Sequence, residues 1–346
     1  MNETKPSRGT PERVARWLLA IVLLSIPLTI LGARLMKGYP FGEQVVELHA
    51  MMPQAGGWSP SDITIEAGKP LRLRLISDDV VHGFAIGQSD QPGIDMLPGK
   101  VVEISLTFDQ PGKYTYYCTR WCGLDHWRMR GTIDVTSLDG ASRDQIDAEI
   151  ATQPLYLSLG LDIDSPHPAS KAPFGRPSAN RGVSLEVDLP PQYTGEQYYF
   201  THSPEQIWLD LKKDLSQNGF SDQQIWDLVA LTWQKNTSGD RLVNGSTLYT
   251  ENCAACHGED GKGDGVMAKA TEAHNQGIDG HSTVSPPDFT DPKHMLGASP
   301  ALLEGKIIRG GMGTGMPYWG PIFTNEQIRS LVDYLWTFQF ETEVNP

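Results

Sequence analysis

Cysteine is scarce in this chain, four residues in 346. The four stand as two close pairs, Cys118 with Cys122 and Cys253 with Cys256, and none lies near residue 34 where a lipid-anchored protein would need one. Positive charge is in deficit as well: 28 Lys and Arg against 42 Asp and Glu give a formal net charge of -14. That excludes a broad basic surface for nucleic acid. Long apolar runs are nearly missing too. One uncharged stretch stands out, residues 17–33 between Arg16 and Arg34. At ~1.5 Å per residue it reaches roughly 25 Å, slightly less than a hydrocarbon core of about 30 Å, and Arg16, Arg34 and Lys37 extend it by snorkelling. Lys5, Arg8, Arg13 and Arg16 precede it, so the positive-inside rule places the amino end in the cytoplasm and the chain after about residue 38 on the outer face. The run LTILGARLM offers only a poor signal-cleavage site. Residues 1–16 are therefore expected as a cytoplasmic tail and 17–37 as a single transmembrane helix. The remainder is too long for one ordinary core and predicts two or three domains.

The first cysteine pair lies in YYCTRWCGLDHWRM, which spaces Cys118, Cys122, His126 and Met129 as CxxxCxxxHxxM, with His82 upstream. Thiolate, imidazole and thioether are the soft donors that copper selects. A mononuclear blue-copper site takes one thiolate, so the second one points to two copper ions bridged by both sulfurs. A structural disulfide in an exported protein would use the two cysteines but leaves His82, His126 and Met129 unexplained. Residues 44–135 read as short strands: ITIEAGKPLRLRLIS and VVEISLTFDQPGKYTYYC alternate apolar and polar residues, MRGTIDV closes the run, and Gly and Pro turns separate them. The pattern predicts a Greek-key β-sandwich with His82 at a strand end and 118–129 as the loop between the last two strands. Tyr116, Tyr117, Trp121 and Trp127 crowd that loop, as packing around the metal or as a path for electrons. His49, alone on the first strand, is expected to be structural.

The second pair forms CAACH, the spacing for thioether attachment of a c-type haem through Cys253 and Cys256 with His257 as proximal ligand. A zinc half-site is the other use of such a pair, but no further cysteines remain to complete it. Gly245 and Tyr249 fall at i and i+4 of a helix running into the motif. TNEQIRSLVDYLWTF is amphipathic, with Ile328, Leu331, Val332 and Leu335 on one face. Between them GMGTGMPYWG offers Met316 as sixth ligand, with Met312 as its rival and His281 or His294 as weaker ones.

Residues 77–129 resemble the dinuclear copper A domain of haem-copper oxidase subunit II, through SDDVVHGF, LPGK and PGKYTYYCTRWCGLDHWRM; the GMGTGMPYWG loop resembles the axial-methionine loop of small class I cytochromes c. The resemblance implies His82 and His126 as terminal imidazoles, Cys118 and Cys122 as bridging thiolates, Met129 as a weak axial ligand and the Arg120 backbone carbonyl as the other. Oxidases of the mitochondrial type carry a glutamate at this last position that helps bind magnesium, so arginine here speaks against that magnesium site. It further implies two copper ions and one covalent haem c in an electron-input subunit of a membrane haem-copper oxidase. A periplasmic donor, a cytochrome c or a cupredoxin, would reduce the haem, copper A would accept the electron, and a catalytic subunit I would reduce oxygen. The chain has no six-helix histidine-rich core, so oxygen chemistry belongs to that other subunit. Two alternatives stay open: the copper A subunit of a nitric oxide reductase, and a free-standing anchored electron carrier. All place the redox domains on the outer, periplasmic side of a bacterial-type cytoplasmic membrane.

The expected organisation is a copper A cupredoxin domain at 40–137, an intermediate segment at 138–240 and an all-α cytochrome c domain at 241–341. The intermediate segment first reads as a linker, with SPHPASKAPFGRPSANRG rich in Pro, Ser and Gly. It also repeats the second half of the cytochrome. LPPQYT at 189–194 matches SPPDFT at 285–290, and SP at 203 matches SP at 299, both offset by 96. FSDQQIWDLVALTW at 220–233 matches FTNEQIRSLVDYLW at 323–336, with six identities in fourteen and an offset of 103. The seven-residue shift falls at the Met316 loop. A cytochrome c-like segment that has lost haem and axial ligand is one reading, with Ile225, Trp226, Leu228, Val229 and Trp233 buried in its place; two unrelated amphipathic helices are the other.

Overall fold

A computed structural model describes residues 16–19, 21, 23, 25, 43–89, 92–123, 125–137, 154–268, 285–311 and 316–341. Of the expected transmembrane helix, Trp17 to Leu19, Ile21, Leu23 and Ser25 are helical, as is Arg16 before it, and the rest lies outside the described residues. Among those described, no helix is long and apolar enough to cross a membrane.

Among the described residues nine strands form two sheets: β1 (Gln44–Ala50), β2 (Trp58–Ser59), β3 (Asp62–Glu66), β4 (Pro70–Ser77), β5 (His82–Ile86), β6 (Ile94–Met96), β7 (Val101–Thr107), β8 (Gly112–Tyr117) and β9 (Arg130–Thr136). One sheet runs β2-β1-β4-β7 and the other β3-β9-β8-β5-β6. The pairs β1–β4 and β3–β9 are parallel and the others antiparallel. Alternation decides which side faces in. Leu71, Leu73 and Leu75 of β4 point to the core, against Ile133 and Val135 of β9, while Arg72 and Arg74 face outward to Glu43, Glu47 and Glu103. Trp58, Phe84 and Tyr116 fill the end of the sandwich near the β8–β9 loop, with ring centroids 5.4–6.1 Å apart. Gly131 pairs with Tyr116 across β8 and β9; a Cβ there would lie 2.2 Å from the Tyr116 hydroxyl, so only glycine admits that ring.

The carboxyl-terminal half is helical: its helices include α1 (Ala179–Val183), α2 (Pro204–Asp214), α3 (Asp222–Asn236), α4 (Gly239–Asn252), α5 (Ala254–His257), α6 (Pro300–Arg309) and α7 (Asn325–Leu335), together with short ones at Leu155–Ser158, Glu196–Thr201 and Pro292–Met295. A single apolar cluster runs through it from Ile163 to Phe340. Ile225, Trp226, Leu228, Val229 and Trp233 are all buried, as are Ile328, Leu331, Val332 and Leu335. The stretch that composition marks as linker therefore contains a helix, α1, and shares a core with the helices after it.

Both repeated helices begin alike. Ser221 with Gln224 caps α3 and Thr324 with Gln327 caps α7, each by a reciprocal capping box. Ser203 and Ser299 cap α2 and α6 ahead of a proline. Each of the two long helices is crossed by an upstream helix at a glycine. A Cβ on Gly245 of α4 would lie 2.1 Å from the Ser330 carbonyl oxygen and 2.7 Å from Tyr334 Cβ. One on Gly182 of α1 would lie 2.5 Å from the Asp227 carbonyl oxygen and 3.1 Å from Leu231 Cβ. Ser330 and Tyr334 follow Asp227 and Leu231 by the same 103 positions that relate the two sequences.

Candidate functional site

Strand β5 opens on His82 and the β8–β9 loop brings Cys118, Cys122 and His126 beside it. The Cys118 amide donates to the Met129 carbonyl at 3.0 Å and closes the loop at its base. Gly123 and Asp125, both at positive φ, turn the chain inside it so that His126 points back. The ligand atoms of His82, Cys118 and Cys122 lie within 4.8 Å of one another, all buried. Cys118 Sγ is 4.0 Å from Cys122 Sγ, 3.7 Å from His82 Nδ1 and 3.2 Å from the Arg120 carbonyl oxygen; Cys122 Sγ is 3.4 Å from His126 Nδ1. A disulfide needs about 2.05 Å between sulfurs, so both thiols are free. A metal ion ~2.3 Å from each thiolate and ~2.0 Å from an imidazole nitrogen would see these atoms at angles of roughly 100–120°, near tetrahedral. The donors fit a thiolate–imidazole metal site. Met129 is buried in the same cluster.

Electrostatics agree with that chemistry. Burial works against charge on His82, but Cys118 and Asp79 outweigh it and hold its pKa above the ordinary value. Hydrogen bonding with Cys122, joined by His126 and His82, draws the Cys118 thiol far down, and Cys122 beside that charge is pushed up.

Asp79, which motif reading missed, holds the His82 ring from behind. Its Oδ1 accepts from His82 Nε2 at 2.7 Å and from the Val80 amide at 2.6 Å, while Oδ2 accepts from the Met52 amide at 2.6 Å. Nε2 is thereby committed and Nδ1 is left facing the sulfur. The signal in the sequence was an acid three residues before the histidine. Arg120 offers only its backbone to the cluster; its guanidinium forms a two-point pair with Asp95 at 2.7 and 3.2 Å. His49 pairs with Asp78 at 2.9 Å instead of reaching the cluster. Of the four aromatics, Tyr116 is core, and Trp121 is half exposed with its ring 5.4 Å from that of His126.

In the helical half, Cys253 ends α4 and the motif continues as the one-turn helix α5, which closes at His257. Burial pushes the Cys253 thiol up to about 12 and raises Cys256 as well. The His257 ring stacks on Phe289 at 4.7 Å, and burial lowers its pKa to about 4, so the imidazole is neutral at neutral pH, the form in which a histidine can bind a metal. Its Nδ1 makes no ordinary hydrogen bond, although the Pro287 carbonyl acts on the ring. Tyr249, one helical turn above, donates to the Gly258 carbonyl at 2.7 Å and anchors the turn that follows the histidine. Met316 is half-buried against the helical core. His294 sits on the short helix Pro292–Met295 at the surface, with its ring 5.7 Å from that of His167. Met312 and His281 lie outside the described residues.

The two halves touch at the segment after Met316. Arg130 Nη1 donates to the Tyr318 carbonyl at 2.7 Å, the Gln88 amide to the Ile322 carbonyl at 2.6 Å and Gln88 Nε2 to the Gly320 carbonyl at 2.9 Å.

Residues 59–136 match the family model of the cytochrome c oxidase subunit II periplasmic domain and residues 242–339 that of cytochrome c. Cytochrome c oxidase subunit 2 of Thermus thermophilus is 37% identical over 81 residues, 23% of this chain and 59% of that protein. The cbb3-type cytochrome c oxidase subunit CcoP of Azospirillum sp. (strain B510) is 30% identical over 112 residues, 32% of this chain and 33% of that protein. The solved periplasmic domain of subunit II of cytochrome oxidase (CoxB) of Bradyrhizobium japonicum is 18% identical over 32% of this chain and 91% of that domain, with a TM-score of 0.24, a likeness too slight to carry weight. The chain spans from 33% to 59% of the length of these two curated relatives. Two families thus meet in one polypeptide, a cytochrome c oxidase subunit II periplasmic domain at 59–136 and a cytochrome c domain at 242–339.

Proposed function

We propose that this chain is the electron-input subunit of a membrane haem-copper oxidase. Cys253, Cys256 and His257, together with Met316, would hold a haem c, which would supply a one-electron carrier for a periplasmic donor. His82, Cys118, Cys122, His126, Met129 and the Arg120 carbonyl hold a dinuclear copper centre, and a catalytic subunit in the membrane takes the electron onward to oxygen. When bound, the copper pair supplies a one-electron couple with little change of geometry. The protein's part is to hold the donors still: the sandwich end, the Cys118–Met129 backbone bond and Asp79 fix their positions before any metal arrives. The observation that carries the reading is the buried cluster in which two free sulfurs 4.0 Å apart each face an imidazole. Two ions sharing both sulfurs use this arrangement; a single blue-copper ion would leave one thiolate spare.

The experiment is metal analysis with two serine variants. The intact protein should hold two coppers for each iron and show a mixed-valence optical and spin-resonance signature. Cys118→Ser and Cys122→Ser should each abolish the signature and leave the haem band unaltered. One copper per iron, or a signature that survives either substitution, sinks the bridging assignment. Oxygen uptake against nitric oxide consumption by the purified complex identifies the terminal acceptor.

Two further parts belong to the same reading. Residues 17–37 anchor the chain with the amino end in the cytoplasm. Residues 138–240 contain a haemless cytochrome c-like unit, a view supported by the matched capping boxes and by two glycine crossings whose contacts on the repeated helices are related by the same offset. The stacked Trp208 and Trp226, with rings 5.7 Å apart, supply apolar bulk in its core.

A further inference from the structure

Both redox sites lie close in sequence to one contact between the two halves. Arg130 is the residue after Met129, and Tyr318 is two residues after Met316. The guanidinium of Arg130 donates to the Tyr318 carbonyl at 2.7 Å and lies 4.7 Å from the centre of the Tyr318 ring and 5.5 Å from that of Trp319. It is half-buried, and among the described residues the groups acting on its charge are Tyr318 and Tyr117. Burying a guanidinium costs solvation, and here the carbonyl hydrogen bond and the two ring faces offset it, so the contact is a specific one. A second line of bonds holds the same segment in register. Gln88, two residues beyond β5, adopts a positive φ of 55° and donates twice, to Gly320 and Ile322. Gly87 has no room for a side chain there, because a Cβ would lie 2.3 Å from the Pro321 carbonyl oxygen.

We propose that Arg130 is the coupling residue through which an electron crosses from the haem half to the copper half, along Met316, Pro317, Tyr318, the Arg130 hydrogen bond and Met129. The proposal rests on the ligand roles of the two methionines in the proposed function. Bonded atoms and one short hydrogen bond carry electronic coupling better than a van der Waals gap. From Met129 the Cys118 amide is a further 3.0 Å hydrogen bond away, which brings the route to a bridging sulfur's own residue. The Gln88 contacts are a poorer path, since Gln88 stands six residues along the chain from His82; their work is to hold the segment docked. One electron moves: ferrous iron is oxidised to ferric, the oxidised copper pair is reduced by one electron, and no bond or proton changes place. Arg130 binds neither metal and acts as a positioning residue.

Arg130→Gln and Arg130→Lys, made in the full-length loaded protein, test this against three measurements. These are the haem-to-copper transfer rate after a light pulse, the optical signatures of both centres, and the hydrogen-exchange rate of the Gln88 amide. Docking predicts slow exchange at Gln88 in the wild type. R130Q should keep both signatures and slow the transfer by about an order of magnitude, and R130K, which can still donate one hydrogen bond, should recover part of the loss. A slowed rate with Gln88 still protected counts for the route, whereas a slowed rate with Gln88 exposed means that Arg130 acted only by docking the halves and overturns it. An unchanged rate in R130Q, an equal fall in R130K, or fast exchange at Gln88 in the wild type overturns the proposal. Failure of the underlying ligand assignment shows itself separately, as a wild type without the copper signature or the haem band, in which Gln88 exchange still reports docking.

Discussion

Asp79 carries more of the copper-type site than its place in a turn suggests. Burial would lift its pKa, but the Met52 amide, His82 and the Val80 amide hold it below the usual carboxylate range, so it stands ionised beside the histidine. Fixing the tautomer of a metal-ligating histidine through its other nitrogen is worth about 10–100-fold in metal affinity. Asp79→Ala should therefore weaken copper binding by that range, read by competition with a chelator of known affinity, while Asp79→Asn, which keeps an acceptor, should lose less. Equal affinity in wild type and D79A would remove Asp79 from the site. The contrast with Cys118, Cys122 and His126 explains what was legible at this scale. Those three lie within nine residues, and their donor chemistry is rare enough that spacing alone groups them. His82 is thirty-six residues upstream and is grouped with them only by resemblance. An acid ahead of a histidine is ordinary in turns, and only the fold shows that its carboxylate points at the ring.

Elements were legible where burial forces a period. Strands β4 and β9 alternate strictly because one face is core and the other water, and α7 shows one apolar stripe for the same reason. Residues 179–183 were not legible, since five residues of Ala, Asn, Arg, Gly and Val carry no period and sit in a Pro- and Gly-rich run. What makes them a helix is tertiary: Gly182 lets α1 lie on α3, as Gly245 lets α4 lie on α7. The crossings make a prediction with an unusual sign. Glycine to alanine inside a helix normally stabilises by about 0.5–1 kcal/mol. Gly245→Ala instead drives a Cβ to 2.1 Å from backbone oxygen, so the helices must part, at about 1–3 kcal/mol. Gly182→Ala, at 2.5 Å from backbone oxygen, should cost a similar amount. Gly175, which has open space around it, serves as control, and its alanine variant should stay within about 0.5 kcal/mol of wild type. Denaturant midpoints of the four proteins decide it; a stabilised G245A would mean that the crossing is not there.

At the scale of the molecule, the helical half behaves as one body because buried polar groups tie its two parts together. Asp333 of α7 is fully buried and gathers Tyr199 at 3.2 Å, Thr237 at 2.9 Å and the Arg241 guanidinium at 3.2 Å, from three separate stretches. Burial outweighs Arg241, Thr237, Tyr199 and the more distant Arg329, and lifts the Asp333 pKa from 3.8 to about 6. A carboxyl with a raised native pKa binds its proton more tightly when folded. Stability from this group is therefore fully present below about pH 4 and is lost as pH rises through about 6. Two pKa units correspond to about 3 kcal/mol. Asp333→Asn loses the charge at every pH and with it this dependence. Unfolding free energies measured by denaturant at a series of pH values should then show D333N gaining about 3 kcal/mol on the wild type between about pH 4 and 7, whatever its constant offset from the altered contact with Arg241. A difference that stays flat over this range, or one that shrinks as pH rises, would mean that Arg241 keeps Asp333 ionised in the folded protein, and the group would then join the two parts as a buried ion pair instead of as a titrating hinge between them.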